Sequence, residues 1–147
     1  MSHALLILAK ARAFPPYVPA EPGVPATVTA ISSPTATEGG TLVFSVTLDG
    51  ASLIASPLSY GVAGTAAPAD IGTPVFSNGV TLAGATLTVP AGVVAFAVSV
   101  PTMPDLTLES TESVVLTIDG ITGIGLVSDG AMPANALTFM GDPLTFM

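Results

Sequence analysis

Apolar side chains recur at every second position through most of residues 27–129, and this period of two constrains the fold more than any other feature. The clearest run is Thr41–Leu48, where Leu, Phe, Val and Leu alternate with Val, Ser and Thr. The same alternation returns at 94–100 and 114–118. Such a pattern is typical of β-strands that bury one face. No stretch with a convincing 3.6-residue period interrupts this pattern, so the sequence predicts an all-β fold. Outside it, Ser2 to Ala13 could form a short helix.

Turn signals predict how these strands are connected. Asn78-Gly79 lies between two short apolar runs, 75–76 and 80–82. Asn-Gly accepts the positive φ angles of a type I′ turn, so this stretch predicts a tight hairpin.

Two further stretches complete the strand pattern. Leu58, Tyr60 and Val62 are predicted to face inward on one strand, and residues 124–127 to form a weaker final strand. Turn signals recur at intervals of about 8–12 residues, which is typical of sandwich folds. The sequence therefore predicts an antiparallel, Ig-like β-sandwich of about seven strands.

The chain divides into three predicted parts: an apolar, proline-rich N-terminal arm at 1–26, the β-sandwich at 27–130, and an apolar C-terminal tail at 131–147. Prolines in the first part predict an extended, polyproline-like path. The tail repeats Leu-Thr-Phe-Met and is expected either to fold back as an edge strand or to add a strand to a neighbour. The candidate partner-binding residues are Leu5, Leu6, Ile7, Leu8, Phe14, Tyr17, Leu137, Phe139, Leu144 and Phe146.

The surface chemistry predicted from composition is unusual for a free monomer. Charged residues make up only 8% of the chain, against roughly 25% in ordinary soluble domains, and the mean hydropathy is +0.78. We therefore expect much of the outer surface to be buried against protein partners, including further copies of this chain as a homo-oligomer.

The distribution of charge argues against two classes of partner. Lys10 and Arg12 are the only basic side chains other than His3, and all ten acidic residues follow them. A body without cations does not neutralise phosphates, so no nucleic-acid binding is expected. An acidic membrane surface would also repel it, so no membrane partner is expected.

The sequence lacks features of export and of disulfide chemistry. It contains no cysteine and no apolar run of about 18 residues, so neither a disulfide nor a transmembrane helix is predicted. The short apolar run 4–9 precedes Lys10 and Arg12, which is the reverse of the order in a signal peptide. We expect synthesis in the cytoplasm without export by the general secretory route.

Several acidic side chains lie near predicted strand ends. Calcium is a hard cation that takes about six to eight oxygen ligands, and carboxylates converging from loops at one end of a sandwich suit it. The candidate metal ligands are Glu38, Asp70, Asp105, Glu109 and Glu112.

Four motifs in this region resemble those of the Calx-β domain family. They are Glu-Gly-Gly-Thr-Leu at 38–42, Gly-Thr-Ala with a following Asp at 64–70, a strand with a Pro-Ala-Gly turn at 87–92, and Asp-x-x-x-Glu-x-x-Glu at 105–112. The resemblance covers about residues 28–129. It implies a Calx-β-type sandwich, and it implies that the five candidate ligands bind calcium.

The sequence also departs from the family pattern. Pro104 replaces a usual second Asp, Ile71 replaces a usual aromatic residue, and no cluster of acids follows the last strand, where only Asp129 remains. Fewer carboxylates weaken a calcium site. The alternative is that Glu109 and Glu112 are solvated loop acids, while Asp70 and Glu38 accept backbone hydrogen bonds in turns.

Catalysis is not expected. His3 and Lys10 lie in the predicted arm, Trp is absent, and a glycosidase-like carboxylate pair would need a cleft with sugar-stacking aromatics. The expected function is a structural assembly protein of a virion, such as a bacteriophage capsid decoration (cement) or tail protein that binds major capsid or tail subunits. The alternatives are a calcium-dependent binding module of a bacterial cell-surface or adhesin-type protein, and a calcium-sensing regulatory module.

Overall fold

The computed structural model describes residues 23–130. This part of the chain consists of β-strands joined by turns and loops, and it contains no helix. The all-β prediction is therefore confirmed. The strands are β1 Val28–Ile31, β2 Thr35–Thr37, β3 Thr41–Leu48, β4 Ser56–Gly64, β5 Val75–Phe76, β6 Thr81–Ala83, β7 Thr86–Val89, β8 Ala95–Pro101, β9 Glu112–Ile118 and β10 Ile121–Ser128.

The strands form two sheets packed as a sandwich, as predicted. One sheet has the order β1-β3-β8-β5, and the other has the order β2-β10-β9-β4-β7-β6. All neighbouring strands are antiparallel except β2 and β10, which are parallel. The number of strands is ten rather than about seven; β2, only three residues long, is too short to show a period of two.

The core lies between the sheets and is built by the inward positions of the alternating strands. Phe44 of β3 is fully buried and pairs with Val98 of β8, whereas Val43 faces outward and is 46% exposed. Burial of each large apolar side chain stabilises the fold by about 1.5–3 kcal/mol. The buried apolar residues are Ala26, Val28, Leu42, Phe44, Val46, Leu48, Leu58, Val80, Leu87, Val89, Phe96, Val98, Val100, Val114, Leu116, Ile118 and Val127.

The predicted hairpin at Asn78-Gly79 is wrong, although the turn itself is present. Asn78 and Gly79 have φ angles of 56° and 75°, and the Val80 N–H donates to the Ser77 carbonyl at 3.1 Å. However, β5 pairs with β8 in one sheet, while β6 pairs with β7 in the other. The Asn78 Nδ2 donates to the Ala95 carbonyl at 2.7 Å, which holds the turn against β8 while the chain crosses between sheets.

The final strand is longer than predicted because Asp119 and Gly120 form a two-residue hairpin loop. Both have positive φ angles, 49° and 81°, and Ile118 of β9 pairs with Ile121 of β10. An Asp-Gly loop of this kind matches the twist of the strands that it joins.

The inward position predicted for Val62 also differs in the structure. Tyr60 is half-buried, but Val62 is 38% exposed and lines a shallow cavity with Ile71 and Pro68. Strand β7 pairs with β4 only over Ser56–Ser59. Val62 therefore lacks a neighbouring strand on that side, which leaves it accessible to solvent.

One end of the sandwich brings together the segments that carry most of the acids. The β2–β3 turn, the β4–β5 loop, the β8–β9 loop, the start of β9 and the end of β10 all lie there, as the strand pairings require. We refer to this as the acidic end. Within residues 23–130 there is no helix of the length and hydropathy that a membrane span requires.

A candidate metal centre at the acidic end

Three carboxylates from different segments converge at the acidic end. Asp70 comes from the β4–β5 loop, Glu109 from the β8–β9 loop, and Glu112 from the first position of β9. One carboxylate oxygen of each lies within 4.8 Å of the others, and all three residues are partly buried. These three residues are the acidic triad.

A local turn fixes Asp70. The Asp70 N–H donates to the Ala67 carbonyl at 2.9 Å, and the Ala67 N–H donates to Asp70 Oδ2, also at 2.9 Å. The Met103 N–H donates to the Asp70 carbonyl at 2.8 Å, which ties this turn to the β8–β9 loop. One carboxylate oxygen of Asp70 therefore stabilises the turn.

Side-chain and backbone bonds between Thr65 and Ser113 join the β4–β5 loop to the start of β9, next to Glu112. The Ser113 N–H donates to Thr65 Oγ1 at 2.8 Å, and the Thr65 N–H donates to Ser113 Oγ at 3.1 Å. The Ala66 N–H donates to the Ser113 carbonyl at 3.1 Å. These bonds fix the loop that carries Asp70 beside the strand that carries Glu112.

Glu109 is the member of the triad with an unsatisfied oxygen. Its backbone N–H donates to Asp129 Oδ2 at 3.2 Å, which connects the β8–β9 loop to the residue after β10. Its side-chain Oε2 is buried and has no hydrogen-bond partner among the described residues. A buried carboxylate oxygen without a partner is costly, and coordination of a cation would satisfy it.

The electrostatics of the triad disfavour its ionised state. Burial raises the pKa of Glu109, and the nearby Glu112, Asp70, Asp105 and Glu38 raise it further. Burial likewise raises the pKa of Glu112, with further contributions from Asp70, Glu38 and Asp105. The sequence from 23 to 130 contains no Lys, Arg or His that would offset this negative charge. Residues 23–130 therefore supply no cationic side chain as a counter-charge for the triad.

The other two predicted ligands lie around the triad rather than in it. Glu38 is partly buried in the β2–β3 turn, where its N–H donates to the Ser128 carbonyl at 2.9 Å. Asp105 is exposed, and its Oδ1 accepts the Thr107 N–H at 2.6 Å. Both are near enough to raise the pKa values of the triad glutamates. The structure thus brings together three of the five predicted ligands and places two at their periphery.

Two residues that support the site, Asp129 and Thr102, were not among the predicted ligands. Asp129 accepts the Glu109 N–H, although it follows Glu109 by 20 positions. Thr102 is buried, and its Oγ1 contacts the carbonyls of Thr37 and Gly40 at 3.1 and 3.0 Å. It thereby joins the turn that carries Glu38 to the end of β8. A lone acid and a lone threonine after strands gave no signal of these roles.

All predicted partner-binding residues, from Leu5 to Tyr17 and from Leu137 to Phe146, lie outside the described residues. The described part offers carboxylates and carbonyls, which are oxygen ligands suited to calcium or magnesium rather than to softer metals.

No protein-family model matches the sequence, and no curated protein matches it. Solved structures do match. The apo-form Calx CBD1 domain is 16% identical, with a TM-score of 0.51, and the match covers 69% of this chain and 96% of that domain. CBD12 from CALX1.2 is 14% identical, with a TM-score of 0.50, and the match covers 72% of this chain and 44% of that protein.

Neither neighbour is named as an enzyme. At these identities the likeness concerns the fold alone. The β-sandwich at residues 23–130 therefore has a Calx-β-like fold.

Proposed function

We propose that this chain is a non-enzymatic binding module that holds a calcium ion at its acidic end. The observation that supports the proposal most directly is Glu109 Oε2, which is buried and without a partner beside two further carboxylates. The resemblance of the four sequence motifs to Calx-β domains favours calcium over other hard cations. Asp70, Glu109 and Glu112 would be the central ligands, with Glu38 and Asp105 contributing charge or further oxygens.

Calcium would act here as a structural cross-link. The three triad residues belong to two loops and the start of a strand, so one ion would join segments that otherwise repel one another. Binding would order the acidic end and give it a defined surface for a partner. This matches a calcium-dependent binding module of a bacterial surface or adhesin-type protein.

A calcium titration monitored by thermal unfolding tests the proposal. A ligand at about 100 times its Kd stabilises the folded state by about 2.7 kcal/mol, so Tm should rise by several degrees. Glu112→Gln should reduce this shift strongly. Asp49→Asn removes the same charge at the opposite end of the sandwich and should leave the calcium-induced shift unchanged. Equal Tm values in calcium and in chelator would contradict the proposal.

A second candidate function is a structural subunit of a larger assembly, such as a capsid decoration or tail protein of a bacteriophage virion. Its support is the chemistry of the sheet faces. Across the ten strands within 23–130, Glu112 is the only Asp, Glu, Lys, Arg or His. Large apolar side chains are exposed on these faces, including Val43, Val75, Ile124 and Leu126. Such faces favour burial against other protein subunits, including copies of this chain.

Co-sedimentation tests the second candidate. A lysate of the source would be fractionated by size with and without chelator, and the chain followed by mass spectrometry. Association with particles far larger than 14.5 kDa would support a role in assembly. Migration as one or a few chains would contradict it, while leaving the calcium proposal to the titration.

A further inference from the structure

The end of the sandwich opposite the acidic end carries an exposed apolar surface. It comprises Val24, Leu53, Ile54 and Val94, which are 77%, 79%, 41% and 52% exposed. We call these four residues the apolar end surface. They come from the segment before β1, the β3–β4 loop and the β7–β8 loop.

Buried Ser52 holds these three segments together. Its Oγ donates to the Val24 carbonyl at 2.7 Å and accepts the Ile54 N–H at 3.1 Å. Its carbonyl accepts the Gly92 N–H at 2.9 Å. These bonds join the backbone of the three segments that carry the exposed side chains.

The chain itself leads directly into this surface. Gly23 lies so close to Ile54 that a Cβ at position 23 would be 2.6 Å from Ile54 Cγ2. The preceding residues 1–22 are apolar and proline-rich, and they contain every Lys, Arg and His of the sequence. The acids of the sandwich have no cation of their own, so these residues complement it in charge as well as in apolar character.

The sequence of that segment indicates which part would bind and to which molecule. Prolines at 15, 16, 19 and 22 favour a polyproline path with three residues per turn, which places Phe14 and Tyr17 on one side. Phe14 precedes Gly23 by nine residues, or about 28 Å at about 3.1 Å per residue. This is about the diameter of a small domain. A segment extended to that length would be able to reach the apolar end surface of a second copy.

We propose that the apolar end surface binds Phe14, Tyr17 and the prolines beside them from a second copy of this chain. The aromatic side chains pack on Leu53 and Ile54, and Lys10 and Arg12 come near the acidic body of the other copy. In a two-fold arrangement each copy gives and receives one segment, which closes the dimer. The interaction does not require calcium, because it lies at the opposite end from the acidic triad.

Isotope-mixed cross-linking of the full chain tests which molecule supplies the segment. Unlabelled and 15N-labelled chains, each with a photoreactive side chain at position 53, would be mixed, irradiated and digested. Cross-links from position 53 to residues 14–22 that join a light peptide to a heavy one support the proposal. Cross-links confined to one isotope would show docking within a single chain and overturn it, as would the absence of any cross-link to 14–22.

Sedimentation equilibrium of matched variants measures the contribution of the surface. Leu53→Ser should weaken dimerisation about tenfold or more, because it removes one large apolar contact. Leu108→Ser is the control, because Leu108 is 76% exposed in the β8–β9 loop at the acidic end. Equal dimer affinities of the two variants would overturn the proposal. Dimerisation should be the same in calcium and in chelator, so failure of the calcium proposal would not affect this result.

Discussion

Gly125 of β10 lies against the ring of Phe44 of β3, so close that a Cβ at position 125 would be 2.8 Å from Phe44 Cζ. The same Cβ would be 2.8 Å from Leu42 Cδ1. Both neighbours are fully buried, so neither can move aside into solvent. The missing side chain at 125 allows the two sheets to approach at this point.

We therefore expect Gly125→Ala to destabilise the sandwich by about 1–3 kcal/mol, as overpacking of a core does. Urea unfolding at equilibrium measures this change. Gly61→Ala in β4 is the control, since a Cβ there would meet no atom within 4 Å. If both variants unfolded at the same urea concentration, the close approach of Gly125 to Phe44 would not limit the packing.

Thr102 is predicted to stabilise the acidic end through its hydroxyl group. Thr102→Val preserves the shape of the side chain but removes the contacts with the Thr37 and Gly40 carbonyls. We expect a loss of about 0.5–1.5 kcal/mol in the free energy of unfolding, because the buried side chain loses its hydrogen bond. Thr88→Val on the exposed side of β7 is the matched control and should be near neutral. A near-neutral Thr102→Val would contradict this role.

The raised pKa values of Glu109 and Glu112 predict how stability depends on pH without calcium. In the folded state these groups bind protons more tightly than in the unfolded state, where the ordinary value is 4.5. Their contribution therefore destabilises the fold as pH rises from about 4.5 through the raised values. Thermal unfolding in chelator at about pH 4 and about pH 7 measures the change.

Asp49 has the opposite effect, because hydrogen bonds from Thr27 lower its pKa, and this stabilisation is lost as pH falls through the lowered value. The informative quantity is thus the difference in stability between the wild type and the double variant Glu109→Gln/Glu112→Gln. In chelator at neutral pH the double variant should be more stable than the wild type, and the advantage should vanish at low pH. An equal pH dependence of the two proteins would show that burial and the neighbouring acids do not raise the pKa values of Glu109 and Glu112.

Asp129 is predicted to position Glu109 rather than to bind the cation itself. Asp129→Ala removes the acceptor of the Glu109 N–H bond and should weaken calcium affinity about 10–100-fold, as loss of a supporting hydrogen bond commonly does. Titration calorimetry measures the affinity. Asp129→Asn keeps an acceptor oxygen without the charge and should restore most of the binding. If Asn were as damaging as Ala, the charge rather than the hydrogen bond would matter.

The strands could be predicted because their burial alternates strictly. In β3, each of Leu42, Phe44, Val46 and Leu48 is buried, and the residues between them are exposed. An alternation of apolar and polar residues predicts such a strand directly, since one face is buried in the core and the other is exposed to solvent. β10 was harder to predict, because its inward positions include Gly123 and Gly125 while Ile124 and Leu126 face outward. Close packing, not hydropathy, determines the residues of that strand.

Local turn chemistry predicted conformation but not connection. The positive φ angles of Asn78 and Gly79 were expected, yet the strands beside them belong to different sheets. A turn determines where the backbone bends, whereas long-range pairing determines which strand lies next to which. The hydrogen bond from Asn78 to Ala95, 17 residues away, is likewise a long-range contact that the local sequence does not predict.

The acidic triad could be nominated from the sequence because its members occur in motifs with fixed spacing. Their distances from one another depend on how the β4–β5 loop meets the start of β9, through the Thr65–Ser113 bonds, and the β8–β9 loop, through the Met103–Asp70 bond. The roles of Asp129 and Thr102 depend wholly on tertiary contacts, so no local sequence pattern predicts them. Sequence identified the chemical groups, and the fold determined which of them are adjacent.

The parallel pairing of β2 with β10 has a mechanical consequence. These strands lie near the two boundaries of the described sandwich, and Thr35, Ala36 and Thr37 pair with Leu126, Val127 and Ser128. Tension that reached the N-terminal end of β2 and the C-terminal end of β10 would pull the two strands in opposite directions along their own axes. All of the bonds between them would then bear the load together instead of opening one after another. The pairing of β2 with β10 would thus resist such tension in shear.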